Sequence, residues 1–126
     1  EVGEAPPNIT YYPFLKHDEL QQYLAKSEFV LQLSISEGFP NALCEAMLHK
    51  CIPVGSSVGA IPHIIDDTGF IVRYSEFDYL KVEFDKIINL SSPRRTELAN
   101  MAYNRIVNHF NLTKRENQLF ELIELN

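Results

Sequence analysis

The stretch EFVLQLS, Glu28 to Ser34, most limits how this chain can fold. It is apolar with little polar alternation, the pattern of a strand covered on both faces, as in a parallel sheet. Upstream, HDELQQYLAKS puts Leu15, Leu20, Tyr23 and Leu24 on one helical face, and Asp18 and Glu19 suit the positive end of its dipole. Downstream, SISEGFP is rich in turn formers and NALCEAMLHK is helical. Further strands are expected at Ile9 to Phe14, at Ile52 to Val54 and at Gly69 to Val72. Gly59 to Ile65 has room for one or two helical turns. From Phe77 onward the patterns are helical: Phe77 to Asn89, Pro93 to His109 and Thr113 to Leu125. Ser92 is the expected N-cap of the middle one, with Pro93 at its first position. Leu98, Met101, Ala102, Arg105, Ile106 and His109 recur at helical spacing along it, as Leu119, Leu122 and Ile123 do in the last. Strands alternating with helices specify an α/β fold, a three-layer Rossmann-like parallel sheet ending in helices.

Composition narrows the function. With 126 residues, 45% of them apolar, the chain has the size of one domain and enough apolar side chains for a core. Folding should hide roughly two-thirds of its unfolded surface. The 11 Lys and Arg against 17 Asp and Glu give a net charge of −6, which disfavours nucleic acid and anionic lipid as partners. A small pocket of amide groups can still hold a phosphate against that field. Cys44 and Cys51 have no CxxC or zinc-type spacing and read as small apolar thiols in a reducing compartment. His17, His49, His63 and His109 are scattered without ligand-like spacing, so no metal site is expected. No apolar run approaches the roughly 20 residues that span a bilayer. EVGEAPPN does not have the make-up of a signal peptide. A cytoplasmic location is expected, with peripheral membrane association open for a full-length parent.

The chemistry concentrates between Glu37 and Glu45. In an open parallel sheet, ligands bind at the carboxyl ends of strands, where the next helix presents unpaired N–H groups. Ser34 to Leu43 is such a connection. Gly38 allows close approach of backbone to ligand, Pro40 suits a first helical turn, and Asn41 is a favoured N-cap. The N–H groups of Asn41, Ala42 and Leu43 are then free to hold a diphosphate. Glu37 and Glu45 would repel a phosphate laid on them but can accept hydrogen bonds from hydroxyls on either side of it. A sugar, a diphosphate and a ribose in sequence match that order. On residue type alone, Glu45 also reads as a dipole-stabilising residue and Glu37 as a solvated loop carboxylate.

The segment S-x-x-E-G-F-P-N-A-L-C-E-A-M, Ser34 to Met47, resembles the E-x7-E signature of the retaining GT-B glycosyltransferases, group 1 or family 4-like. That family includes bacterial mannosyl- and glucosyltransferases, sucrose synthase and glycogen synthase. KCIPVGSSVGAIPHII, Lys50 to Ile65, is similar to its G-x-P-V-x-x-x-x-x-G-G-x-x-E-I-I stretch. DTGFIV, Asp67 to Val72, is similar to its T-G-x-L-V strand, and NHFNLTKRENQLFELI to its F-S-W-x-x-x-x-x-x-L-x-x-L-Y ending. The resemblance implies that Glu37 orients the transferred sugar, with the backbone of Gly38, Phe39 and Pro40 along it. It also implies Asn41, Ala42 and Leu43 on the diphosphate and Glu45 on the ribose. The substrate would be a UDP-, GDP- or ADP-sugar and the reaction retaining transfer of a hexose. The leaving diphosphate would take the acceptor's proton, with no metal or other cofactor required.

The chain departs from the family pattern at several points. Leu33 replaces a usual proline, His63 a common glutamate, and Gly59-Ala60 a Gly-Gly pair; His63 is assigned no role. No G-R-L-x-x-x-K-G-like segment precedes Ile9, so the Arg and Lys that stabilise the leaving diphosphate in the family have no counterpart. The resemblance therefore implies a partial C-terminal nucleotide-sugar-binding domain over residues 1–126, without its first strand-helix units and acceptor lobe, and inactive alone. With the strand order 3-2-1-4-5-6 of such a lobe, the Ile9 strand would have no neighbour and the Glu28 strand one bare edge. A bare edge is open to self-association. The alternative function is a non-catalytic nucleotide- or phosphosugar-binding module. A GT-B-fold sugar-nucleotide epimerase stays open, whereas a flavodoxin-like signalling domain lacks its phosphoacceptor aspartate.

Overall fold

The computed structural model describes residues 6–36, 38–73 and 76–110. The expected Thr113 to Leu125 helix, with Leu119, Leu122 and Ile123, lies outside them. Strands β1 (Phe29–Gln32), β2 (Ile52–Ser56) and β3 (Phe70–Val72) form one parallel sheet in the order β1-β2-β3. The helices are α1 (His17–Lys26), α2 (Asn41–Leu48), α3 (Ile61–Ile65), α4 (Phe77–Ile88) and α5 (Ser92–His109). The α/β expectation is met, with strand and helix alternating from α1 to α4.

The sheet has two covered faces because its side chains alternate. On one, Val30 and Ile71 pack towards a cluster of Leu43, Cys44 and Met47 from α2, Ile61, Ile64 and Ile65 from α3, and Ala102 and Ile106 from α5. On the other, Phe29, Val54, Phe70 and Val72 meet Leu80, Phe84 and Ile87 of α4. That makes three layers, helices on either side of a sheet.

The central strand β2 is buried along its whole length although it contains a proline and a glycine. The Ile52 N–H donates to Glu28 O at 2.8 Å, on the β1 side. Successive backbone nitrogens face opposite edges, so the Pro53 nitrogen faces β3, where pairing begins only at Val54↔Phe70. No ladder hydrogen bond is lost. A Cβ at Gly55 would collide with Ile61 and Ile65, so α3 lies directly on the sheet there. A Cβ at Gly69 would run into the carbonyl and ring of Pro53.

Helix ends account for several boundaries. α2 stops at Leu48, short of the NALCEAMLHK expectation, because Lys50 turns into the left-handed region at φ 62°. There the Lys50 N–H donates to Met47 O at 3.0 Å and the Cys51 N–H to Ala46 O at 3.1 Å, a Schellman closure with lysine where glycine is usual. For α5, the cap is Ser91 rather than the expected Ser92: its hydroxyl accepts from the Arg94 N–H at 3.3 Å, which moves Pro93 to the second helical position. Arg95 joins this end of α5 to the rest. It donates to Leu90 O at 3.2 Å, to Ile88 O and to the Glu28 carboxylate at 2.7 Å.

Two expectations fail at β1. Ile9 to Phe14 forms no strand: it has no ladder partner among the described residues, and Phe14 is 81% exposed. It is held instead at Tyr12, whose hydroxyl accepts from Tyr23 of α1 at 2.8 Å. A strand needs a neighbour for its backbone groups, and aromatic, β-branched composition supplies none. The Glu28 to Ser34 strand shortens to Phe29–Gln32 and is only partly buried, since β1 is paired on one edge alone among the described residues. Its other edge pairs with no strand among the described residues.

α1 has no buried residue and is tied to the sheet by Cys51, whose buried thiol donates to Leu24 O at 3.3 Å and Ser27 O at 3.5 Å. Burial pushes the Cys51 thiol up from its ordinary range. The folded chain therefore holds that proton more tightly than the unfolded one does. The resulting stability is full below the ordinary thiol pKa and is lost as pH climbs from there towards the raised value. Urea unfolding above about pH 8.5, the ordinary thiol pKa, should show wild-type stability declining more steeply than that of Cys51→Ala. Gly69→Ala should lower unfolding free energy by about 1–3 kcal/mol in the same assay, because the Pro53 backbone cannot yield.

Candidate functional site

The carboxyl end of β1 is fastened before the chain turns into the site. The buried Ser56 hydroxyl, at the end of β2, donates to Ser34 O at 2.7 Å and lies 3.3 Å from Gln32 O. The Gln32 side-chain amide donates to the Ser34 hydroxyl at 2.8 Å. The loop therefore leaves the sheet from a fixed point. Sequence reasoning missed Ser56, because a serine in a small-residue strand end looks like part of a turn.

Glu37, the expected catalytic residue, lies outside the described residues. At Gly38 a Cβ would meet no atom within 4 Å, so packing of the protein itself does not demand glycine there. Phe39 turns its ring inward onto Phe110, with ring centroids 5.9 Å apart, and packs on the core of α2, α3 and α5. Pro40 is buried.

The start of α2 differs from expectation in one respect. Pro40, not Asn41, occupies the cap position, and it provides no side-chain cap because proline has no polar side chain. Its carbonyl accepts from the Leu43 N–H at 3.2 Å and the Cys44 N–H at 3.4 Å. Leu43 is thereby engaged and its side chain is buried. The N–H groups of Asn41 and Ala42 have no partner among the described residues, and both residues are exposed. Glu45 lies one turn on, on the same side of the helix as Asn41 and Ala42. It is half-buried, and its carboxylate has no hydrogen bond or ion pair among the described residues. The structure thus puts Asn41, Ala42 and Glu45 on one side of α2, leaves Gly38 exposed just before it, and turns Phe39, Pro40 and Leu43 inward.

Chemically, two free N–H groups at the positive end of a helix can hold an anion, and a carboxylate a turn away can take hydroxyl hydrogens. Among the described residues no group of three or more His, Cys, Asp or Glu could hold a metal ion. An open cleft of about 640 Å³ lies at the opposite, amino end of the strands, lined by Lys26, Glu28, Lys50, Ser92 and Arg95 among others. It is a poor anion site, since Arg95 is already committed to Glu28 and to the end of α4, and Glu28 adds a negative charge. The start of α2 at the carboxyl end of β1 is the better candidate.

A doubly covered parallel sheet with an exposed helix start beyond β1 defines an α/β architecture, a class in which ligands bind at the carboxyl ends of the strands. Residues 4–105 match the family model described as glycosyl transferases group 1. The chain belongs to that family, whose members are glycosyl-transferring enzymes. Among curated proteins no relative matches the chain. No helix among the described residues is long and apolar enough to cross a membrane.

Ser56→Ala would leave the Ser34 and Gln32 carbonyls without that donor. It should cost about 1–3 kcal/mol of stability, and amide exchange at Ser34 to Ser36 should quicken. Native exchange rates there would show that the β1 exit is held some other way.

Proposed function

We propose that Glu37 to Glu45 is the donor site for a nucleoside-diphosphate sugar, and that the reaction is retaining transfer of a hexose to an acceptor held elsewhere. The observation that carries this is the start of α2: N–H groups on Asn41 and Ala42 and a carboxylate on Glu45 that have no partner among the described residues, and open space at Gly38 just before them in the chain. The diphosphate sits on Asn41 and Ala42, while Leu43, whose N–H is held by Pro40, shapes the turn. The sugar lies along the backbone of Gly38, Phe39 and Pro40, with Glu37 orienting it through a hydroxyl. Glu45 takes the ribose hydroxyls.

Charge develops on the leaving diphosphate as the glycosidic bond breaks, and the helix N-terminus faces that charge without reorganising. The same diphosphate accepts the acceptor's proton, so Glu37 is an electrostatic and positioning group rather than a nucleophile. The group 1 match and the Glu37 to Glu45 spacing support this reading, in which these residues form one part of the full active site, within a partial C-terminal lobe.

The test is a titration of the full-length protein with UDP-, GDP- and ADP-glucose by calorimetry, followed by variants. Glu45→Ala should weaken the preferred donor about 10- to 100-fold, the loss of charge-assisted hydrogen bonds to hydroxyls. Glu37→Gln should reduce kcat with a smaller effect on donor affinity. Unchanged affinity in Glu45→Ala would remove the ribose assignment. Tight binding without any transfer would favour a non-catalytic nucleotide-sugar module.

A further inference from the structure

We propose that Phe110 is a positioning residue for the donor loop, acting through Phe39 and held in turn by Arg105 and His63; this rests on the reading of Gly38 to Glu45 as the donor site. Phe110 closes α5, its N–H donating to Ile106 O at 2.9 Å. Three groups surround its ring. The Phe39 ring is tilted against it at 5.9 Å, the His63 ring stands edge-on at 5.6 Å, and the Arg105 guanidinium carbon lies 5.4 Å from its centroid.

Arg105 cannot follow Phe110 if it moves. Its Nη2 donates to His63 O at 2.6 Å and its Nε to Ile64 O at 3.3 Å. These carbonyls sit in the last turn of α3, where carbonyls lack intrahelical partners and a cation is favoured. The guanidinium is thus fixed on α3, and the aromatic ring is attracted to its face. α3 is itself fixed on the sheet at Gly55. A continuous path of contacts therefore runs from the sheet through α3, Arg105 and Phe110 to Phe39.

Phe39 lies between Gly38, which has open space, and the buried Pro40 at the head of α2. Its ring is the anchor that sets where the Gly38 to Pro40 backbone passes. Removing Phe110 removes the surface on which that anchor rests and leaves the α2 start in place. The sugar half of the donor should suffer more than the diphosphate half.

The experiment uses the full-length protein with Phe110→Ala, Phe110→Leu, Phe110→Tyr and, as a control of similar position in α5, Ile106→Val. Phe110→Ala should speed amide exchange at Gly38 and Phe39 and weaken the preferred nucleotide-sugar about 3- to 10-fold, with the matching nucleoside diphosphate changed by less than about 2-fold. Phe110→Tyr keeps the ring and should behave as wild type. Ile106→Val lowers stability and should leave both ratios alone. If Phe110→Ala does not fold, Phe110→Leu keeps bulk without the ring and should show the same pattern. Wild-type exchange and affinity in the ring-less variants would overturn the proposal, as would equal effects in Ile106→Val. If the wild type binds none of UDP-, GDP- or ADP-glucose, the donor reading fails, and exchange at Gly38 and Phe39 still decides whether Phe110 holds the loop.

Discussion

Strand β2 has a neighbour on each edge and helices on each face, and all five of its residues are buried. A strand so enclosed must satisfy its backbone within the sheet and admit its neighbours closely. Pro53 meets the first demand by turning its nitrogen to the side where β3 has not begun. Gly55 meets the second by letting α3 rest on the backbone. Because α3 is seated there, α5 can lie across α2 and α3, and its far end comes to rest beside the loop that leaves β1. The site is downstream of this packing in a literal, geometric sense.

The architecture was largely legible in the residues. The apolar run at Glu28, the apolar helical spacings and the turn formers between them lead to the observed order of strands and helices. The departures have one physical cause. Local composition says what a segment is able to form but not what will be beside it. Among the described residues, Ile9 to Phe14 has strand chemistry and no ladder partner, and β1 has two apolar-capable faces but one unpaired edge. Capping was misjudged by a single residue at both α2 and α5, since Ser91 and Ser92 are equivalent as residue types and only the chain direction distinguishes them.

The candidate site was legible as a segment and less so as a mechanism of support. The spacing of Glu37 and Glu45 around Gly38 and Asn41 marks it without any coordinates. Ser56, Arg105 and Phe110 could not be found this way, because each acts across a long sequence separation through one hydrogen bond or one ring contact. His63, given no role from its sequence position, contributes a backbone carbonyl to Arg105 and a ring edge to Phe110.

The inward turn of Phe39 has a bearing on how such a loop can vary. Its side chains at Phe39, Pro40 and Leu43 are spent on the interior, and the exposed surface at Asn41 and Ala42 offers main-chain N–H groups that every residue except proline shares. Substitution there alters how firmly the loop is held far more than what it offers to a ligand. If the segment is the donor site proposed above, a choice among related ligands has to be made by side chains at other positions, since those of Phe39, Pro40 and Leu43 are committed to the core.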